Sequence, residues 1–287
     1  MVAAFGRHYS VETATGETIS CVMRGKKGGI ACGDQVEYQL TTVGQGVIET
    51  VQQRTSLLYR SDAFKEKIIA ANVTQIIIVV AATPSFSEEL INRCLVAAES
   101  ENIKVLIVLN KADLVEPTQT AMETLSLYQN LGYAVLQLSA TQDISALRPY
   151  LSGHLSVLAG QSGMGKSTLL NTLIPEAKRA TAEISLALDS GTHTTTHSQL
   201  YHLDDNSAII DSPGFQEFGL SHIKEENLAW GFMEFHPYIG QCKFSNCRHL
   251  KEPGCAVMLA VQQGKIHPKR LAFYQKLLRH DEFSANI

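Results

Sequence analysis

The stretch Gly160-Gln161-Ser162-Gly163-Met164-Gly165-Lys166-Ser167 lies between His154 to Leu158, which reads as an apolar strand, and Thr168-Leu-Leu-Asn-Thr-Leu-Ile, which continues as an apolar helix. A strand, a loop of pattern G-x-x-x-x-G-K-[ST] and a helix in that order specify one local structure, a parallel α/β unit with its loop at the carboxyl end of the strand. Glycines at 160, 163 and 165 let backbone N–H groups close around phosphate oxygens at a helix N-terminus. Lys166 adds a point charge that also serves a transferring phosphoryl group, and the Ser167 hydroxyl is a Mg²⁺ ligand, so residues 160–168 read as a nucleotide phosphate site.

The remaining chain supplies the sheet that this unit needs. Gln75-Ile-Ile-Ile-Val-Val-Ala81 is a continuous β-branched run, the mark of a strand buried on both faces. Ser85-Phe86-Ser87-Glu88 has capping-box spacing, and Leu90, Ile91, Cys94, Leu95 and Ala98 follow at helical intervals, which predicts a helix returning the chain to a strand at Val105 to Leu109. A helix around Met122 to Leu131 and a strand at Ala134 to Leu138 repeat the alternation, so the middle of the chain is α/β. Upstream, Thr18 to Met23, Gln35 to Leu40 and Gly46 to Val51 read as short strands between glycine turns, a small all-β unit closed by the charged stretch Arg60 to Lys67. Downstream of Gly219 come helical pieces around Leu228 to Phe232 and a closing helix with Pro268 near its first turn and Leu271, Tyr274 and Leu278 on one side.

At 287 residues, with 45% apolar and 18% charged residues, the chain has room for two or three cores and is not a disordered one. Its longest apolar run in this region, Ile76 to Ala82, is far short of the ~18–20 residues that span a bilayer, and Met1 to Tyr9 lacks an apolar signal core. The expectation is a cytoplasmic protein with no membrane partner. A net charge of −4 argues against a uniformly basic nucleic-acid binder, yet no Asp or Glu falls between Pro253 and His280. Lys269, Arg270, Lys276 and Arg279 in that stretch are expected to reach RNA phosphates, with a solvated helix face as the alternative.

A phosphate loop does not name the base. Asn110-Lys111-Ala112-Asp113 directly follows the strand ending at Leu109 and matches N-K-x-D, in which a carboxylate accepts from guanine N1–H and the exocyclic amine, donors that adenine lacks there. Ser139-Ala140, also just past a strand, fits the companion loop whose N–H meets the guanine carbonyl oxygen. Asp211-Ser-Pro-Gly214 follows the strand Ser207 to Ile210 and fits D-x-x-G, where Asp211 holds the Mg²⁺ shell and the Gly214 N–H senses a γ-phosphate. Between these elements Gly191-Thr-His-Thr194-Thr195-Thr196 has the hydroxyls of a switch loop ordered by Mg²⁺ and triphosphate. The base-recognition pair precedes the phosphate elements, whereas common GTPases have the reverse order, so the domain is circularly permuted.

Six cysteines are too few for a disulfide framework, and three of them sit in Cys242-x₄-Cys247-x-His249-x₅-Cys255, the Cys₃His set of a closed, structural Zn²⁺ site. A catalytic zinc or unrelated buried cysteines are the weaker readings.

Together these motifs resemble the circularly permuted, RsgA-type GTPases that act in maturation of the small ribosomal subunit. The resemblance runs from Gly33-Asp34-x-Val36 through the guanine, phosphate and switch motifs to Cys255. It implies an N-terminal OB-fold β-barrel (1–62), a circularly permuted P-loop GTPase domain (63–220) and a C-terminal helical zinc-binding domain (221–287), gripping the small (30S) subunit and its 16S-type rRNA as a monomer. It also implies that His193 helps position the attacking water and that Thr194 or Thr195 is the Mg²⁺-linked switch threonine. Phe215 stands where many GTPases carry a water-orienting Gln, so catalysis comes from His193, the partner, or both. The activity implied is hydrolysis of GTP to GDP with one structural Zn²⁺ and Mg²⁺. A module that binds GTP and RNA with little hydrolysis is the alternative, and a signalling or translation-factor GTPase fits the permuted order and the zinc knot less well.

Overall fold

The computed structural model describes residues 1–5, 8–25, 29–62, 65–175, 198–212 and 218–279. Five strands rather than three build the N-terminal unit: β1 (Ala3–Phe5), β2 (His8–Glu12), β3 (Thr18–Met23), β4 (Val36–Thr42) and β5 (Gln45–Val51). They lie in the order β1-β2-β3-β5-β4, with β3 and β5 parallel and the other pairs antiparallel. Alternate residues point inward, and Tyr9, Val11, Ile19, Cys21, Ile30 and Ile48 form a core of their own.

The charged stretch expected to be a boundary is instead a hairpin, β6 (Leu57–Asp62) and β7 (Lys65–Ala71). Its apolar residues Leu58, Ile69 and Ala70 are buried, so charge at the turn masked a strand pair. Ala71 N–H donates to Cys32 O and the Asn72 amide to Gly33 O, tying the hairpin to the N-terminal unit.

Next come β8 (Gln75–Ala81), α1 (Glu88–Ser100), β9 (Lys104–Asn110), α2 (Val115–Asn130), β10 (Ala134–Gln137), the short α3 (Arg148–Leu151), β11 (Leu155–Ala159), α4 (Lys166–Leu173), β12 (Gln199–Asp204) and β13 (Ser207–Asp211). Strands β10-β9-β8-β11-β13 are parallel neighbours, and β12 closes that side antiparallel to β13. Every residue of β8 is buried. Ile76, Ile78 and Val80 enter one core with α1 and α2, while Ile77, Val79 and Ala81 enter a second with Leu169 and Leu170 of α4. A strand covered on both faces needs side chains that suit both, which is why its sequence is a run rather than an alternation. The sheet continues into the N-terminal unit through Ala3 of β1 paired with Gln199 of β12.

Two helix starts differ from expectation. The cap of α1 is Ser87, whose Oγ accepts from Leu90 N–H at 3.3 Å, so the Ser85/Glu88 box is not the one used. Helix α2 begins earlier, at Val115, because Pro117 is tolerated in a first turn where its missing N–H has no partner to lose.

Helix α1 is buried nearly all round, from Leu90 to Ala98. Its second face is covered by the C-terminal module, which consists of two short 3₁₀ turns (Glu225–Gly231 and Met233–Tyr238), α5 (Ala256–Gln262) and α6 (Pro268–Arg279). Ile91, Leu95, Phe232, Phe235, Tyr274 and Leu277 belong to one continuous cluster, so the module shares its core with the sheet domain. The approach is close enough that a Cβ on Gly231 would stand 2.8 Å from Val96 Cγ1.

Three of the four basic residues expected on α6 to reach RNA have acidic partners within the protein. Arg270 is fully buried: Nε donates to Glu234 Oε1 at 2.5 Å, Nη1 donates to Asn92 Oδ1 at 2.5 Å, and the guanidinium lies 4.6 Å from the Phe232 ring centre. Lys269 pairs with Glu88 and Lys276 with Glu89. These acids are distant in sequence, and counting charge along a segment cannot reveal them; Arg279 stays exposed at the end of the helix.

Candidate nucleotide site and metal centre

Asn110 ends β9, Asp211 ends β13, Gly160 follows β11 and Ser139 lies just past β10, all at the carboxyl edge of the parallel strands. That edge is where open α/β sheets bind ligands, because the loops there are free to vary while the strands hold them.

In the phosphate loop, Gly160, Gly163 and Gly165 have φ of 143°, 80° and 93°. Side chains are excluded twice over at two of them. A Cβ at 160 would run into Val79 O of the neighbouring strand, and one at 165 into the Asn110 amide. Lys166 Nζ donates to Gly160 O at 2.6 Å and to Gln161 O at 2.8 Å. An ammonium carries three hydrogens, so two are spent on positioning and one is left for an anion in the cleft. Burial lowers the Lys166 pKa, with the charge of Asp211 pulling the other way. Burial likewise raises the Asp211 pKa, opposed by Lys166 and by the Ser212 N–H. Both groups therefore gain from counter-charges: phosphate oxygens for one, a divalent cation for the other.

The base-side residues are woven into that loop. Asn110, 2% exposed, donates from Nδ2 to Met164 O and accepts from Ala140 N–H on Oδ1, both at 2.9 Å. Lys111 adopts φ of 62°, and its Nζ donates to Thr83 O and Gly163 O at 2.8 Å each. Ser139 Oγ donates to Asp113 Oδ1 at 2.6 Å, which ties that carboxylate to the companion loop. The Ala140 N–H bond ties the companion loop of Ser139 and Ala140 to the end of β9. Lys111, Ser162, Gly163, Gly165, Lys166, Ser167, Thr168, Asp211 and Ser212 line one cleft of about 510 Å³. Segments far apart in sequence thus meet in one concavity. His193, Thr194, Thr195 and Gly214, with Phe215, lie outside the described residues.

Three further residues escaped the sequence reading. Thr83 supplies a carbonyl to Lys111, and its place just past β8 could have flagged it by the strand-end rule. Thr141 bonds to Ser139 Oγ at 3.1 Å, and Thr172 of α4 reaches Ala140 O at 3.0 Å, contacts that carry no sequence pattern.

Cys242, Cys247, His249 and Cys255 bring their donor atoms within 4.8 Å of one another. His249 Nδ1 lies 3.6, 3.7 and 3.3 Å from the sulfurs of Cys242, Cys247 and Cys255. A tetrahedron with Zn–S of ~2.3 Å and Zn–N of ~2.0–2.1 Å has edges of roughly 3.6–3.8 Å, so the donor set fits zinc. Burial pushes the Cys247 thiol up to about 12 and raises that of Cys255. A dication overturns that preference, since zinc ligation requires thiolates. Burial lowers the His249 pKa, which keeps the imidazole neutral and able to ligate. Around the ligands, Ala256 N–H donates to Cys242 Sγ at 3.3 Å, and Glu252 accepts from the N–H groups of Arg248, Leu250 and Lys251. His249 sits at φ of 58°, a left-handed turn that those carboxylate bonds hold on both sides.

Comparison with known proteins gives a consistent result. A family model described as RsgA GTPase matches residues 51–221. The chain is 60% identical over 278 residues to the small ribosomal subunit biogenesis GTPase RsgA of Nitrosospira multiformis, covering 97% of this chain and 89% of that protein. It is 57% identical over 282 residues to the protein of the same name from Nitrosomonas europaea, covering 97% and 90%. Among solved structures it is similar to YjeQ from Thermotoga maritima, with 35% identity, a TM-score of 0.76 and coverage of 100% and 98%. It is also similar to YloQ, described as a circularly permuted GTPase, with 30% identity, a TM-score of 0.72 and coverage of 99% and 93%.

Proposed function

Because this chain belongs to the RsgA GTPase family, we infer that it hydrolyses GTP in the service of small ribosomal subunit biogenesis, the role its relatives are named for. The observation that carries this reading is the shared cleft, in which Lys111 of the guanine motif, the phosphate loop and Asp211 line one space.

In that reading the backbone of residues 160–168 and the free hydrogen of Lys166 take the phosphates. Asp113, set by Ser139, accepts from guanine, and Asn110 holds the base loop against the phosphate loop through Met164 O. Ser167 and Asp211 would hold Mg²⁺ with Thr194 or Thr195, and the ion would supply positive charge against the phosphates. His193 orients the attacking water and Gly214 reports the γ-phosphate, roles that rest on the family resemblance.

The strand order β1-β2-β3-β5-β4 with parallel β3 and β5 supports an OB-fold for the N-terminal unit, followed by the permuted GTPase domain and the zinc module. Zinc held by Cys242, Cys247, His249 and Cys255 supplies folding free energy there. OB-folds and zinc modules are nucleic-acid platforms, so rRNA is the expected contact on the subunit. No helix among the described residues is long and apolar enough to cross a membrane. A monomer working in the cytoplasm fits this role.

The test is multiple-turnover phosphate release with and without purified small subunits. Stimulation by subunits that is largely lost in His193→Ala, with GTP binding kept, supports the reading, and a His193→Ala variant stimulated like wild type removes that residue from it. Ordering a positioning group in trans is worth ~10³–10⁵ in rate. GTP binding with no turnover under either condition would favour a binding module instead.

A further inference from the structure

The phosphate loop is joined to the zinc module by a single turn of α1. Gln161 Oε1 accepts the backbone N–H of Ser87 at 2.7 Å, and Ser87 is the residue that caps α1. The next two residues grip α6: Glu88 accepts from Lys269 Nζ at 2.9 Å, and Glu89 accepts from Lys276 Nζ at 2.6 Å. One turn further on, Asn92 accepts from the buried Arg270 of the same helix. The residue whose side chain holds Ser87 also gives its own carbonyl to Lys166 Nζ.

Exposed ion pairs contribute little to stability, and Glu88 and Glu89 are already favourable in a first helical turn without any partner. Their use is geometric. They fix the start of α1 against α6 in one register, while Arg270 and the shared core prevent the two helices from separating farther along. A shift of Gln161 therefore displaces the cap of α1 and, with it, the helix that carries the zinc module's lysines.

We propose that Gln161, Ser87 and the first turn of α1 couple occupancy of the phosphate loop to the seating of α6 and the zinc module. The coupling rests on the guanine-nucleotide reading of the cleft and adds a route by which that site addresses a helix in a different module of the chain. Coupling of this kind is reciprocal: if phosphates seat α6, then loosening α6 must weaken nucleotide binding by the same factor.

The experiment measures GDP and non-hydrolysable GTP-analogue affinity on the full zinc-loaded protein. It compares wild type, Lys269→Glu/Lys276→Glu, and the quadruple variant that adds Glu88→Lys/Glu89→Lys. Lys265→Glu is the control for charge on the same module. Zinc per chain and thermal unfolding accompany each variant, and Lys269→Gln/Lys276→Gln serves if the charge reversal fails to fold. Reversal is expected to weaken at least one of the two nucleotides by about 5-fold or more, the lower end of ordinary coupling, with recovery in the quadruple and no change in Lys265→Glu. Affinities unchanged by reversal, or lowered equally by Lys265→Glu, would overturn the coupling while leaving the nucleotide site intact. Wild-type protein that binds neither nucleotide would instead remove the reading on which the coupling rests.

Discussion

The Asn110 side-chain amide occupies the space that a Cβ on residue 165 would need, and from there it donates to Met164 O. Base loop and phosphate loop are therefore interlocked through a glycine, and neither can be placed without the other.

Gly165→Ala should break this interlock for two reasons: φ at 165 is 93°, and the added methyl collides with Asn110. A strained backbone costs about 1–3 kcal/mol, so thermal unfolding should register the change, and GTP affinity should fall ~10-fold or more because both loops move. A variant with native affinity by titration calorimetry would show that the interlock is dispensable.

Asp113→Asn should weaken GTP by ~10²-fold, since an amide cannot accept from both guanine donors. Ser139→Ala removes only the hydroxyl that orients Asp113 and should cost about tenfold, the scale of one hydrogen bond to a charged group. Equilibrium titration with GTP and ATP separates base recognition from phosphate recognition. Equal losses for both nucleotides would contradict the assignment.

Arg270→Ala should destabilise the protein by about 3–5 kcal/mol, because Glu234 is left charged and buried with Asn92 unpartnered. Arg270→Met with Glu234→Gln should recover part of that loss by removing the stranded charge. Chemical denaturation gives both values, and a single variant within about 0.5 kcal/mol of wild type would mean that the pair is not buried in solution.

Cys247→Ser should release zinc and unfold the C-terminal module, with elemental analysis falling from one metal per chain to none. Glu252→Gln should retain the metal but bind it ~10–100-fold more weakly, as expected when support around the ligands is lost. Burial opposes ionisation of Glu252, but hydrogen bonds from its own backbone N–H and those of Arg248, Leu250 and Lys251 outweigh it and hold the carboxyl at about 2. A depressed carboxylate stabilises the fold above its unfolded pKa and loses that contribution as pH falls toward about 2. The ratio of wild-type to variant zinc affinity should therefore be constant between pH 8 and 6, and a ratio that collapses in that range would contradict the assignment.

Local motifs were legible where a short stretch does its own work. The phosphate loop, the N-K-x-D segment and the Cys₃His set stand out because ligand geometry dictates residue types at fixed spacings. The double burial of β8 was equally visible, since both faces demand apolar side chains. What escaped depends on distant partners. The β6–β7 hairpin was hidden by charges at its turn, and Lys269 and Lys276 read as an RNA face because Glu88 and Glu89 lie in another element altogether. Arg270 was misread for the same reason: nothing near it in sequence announces Glu234 and Asn92.

The pairing of Ala3 with Gln199 also bears on how the chain is made. During synthesis the N-terminal unit emerges with β1 lacking its outer partner, and that edge waits until β12 has left the exit tunnel. β8, β9 and β10 emerge in sequence and can pair at once, but β8 stays open on its other side until β11 arrives. An unpaired strand edge recruits other strands, so the nascent protein carries two adhesive borders from the emergence of β8 until β11 arrives. Slowing elongation before β11 should lengthen that exposure and raise misassembly, whereas the finished molecule covers both borders with its own strands.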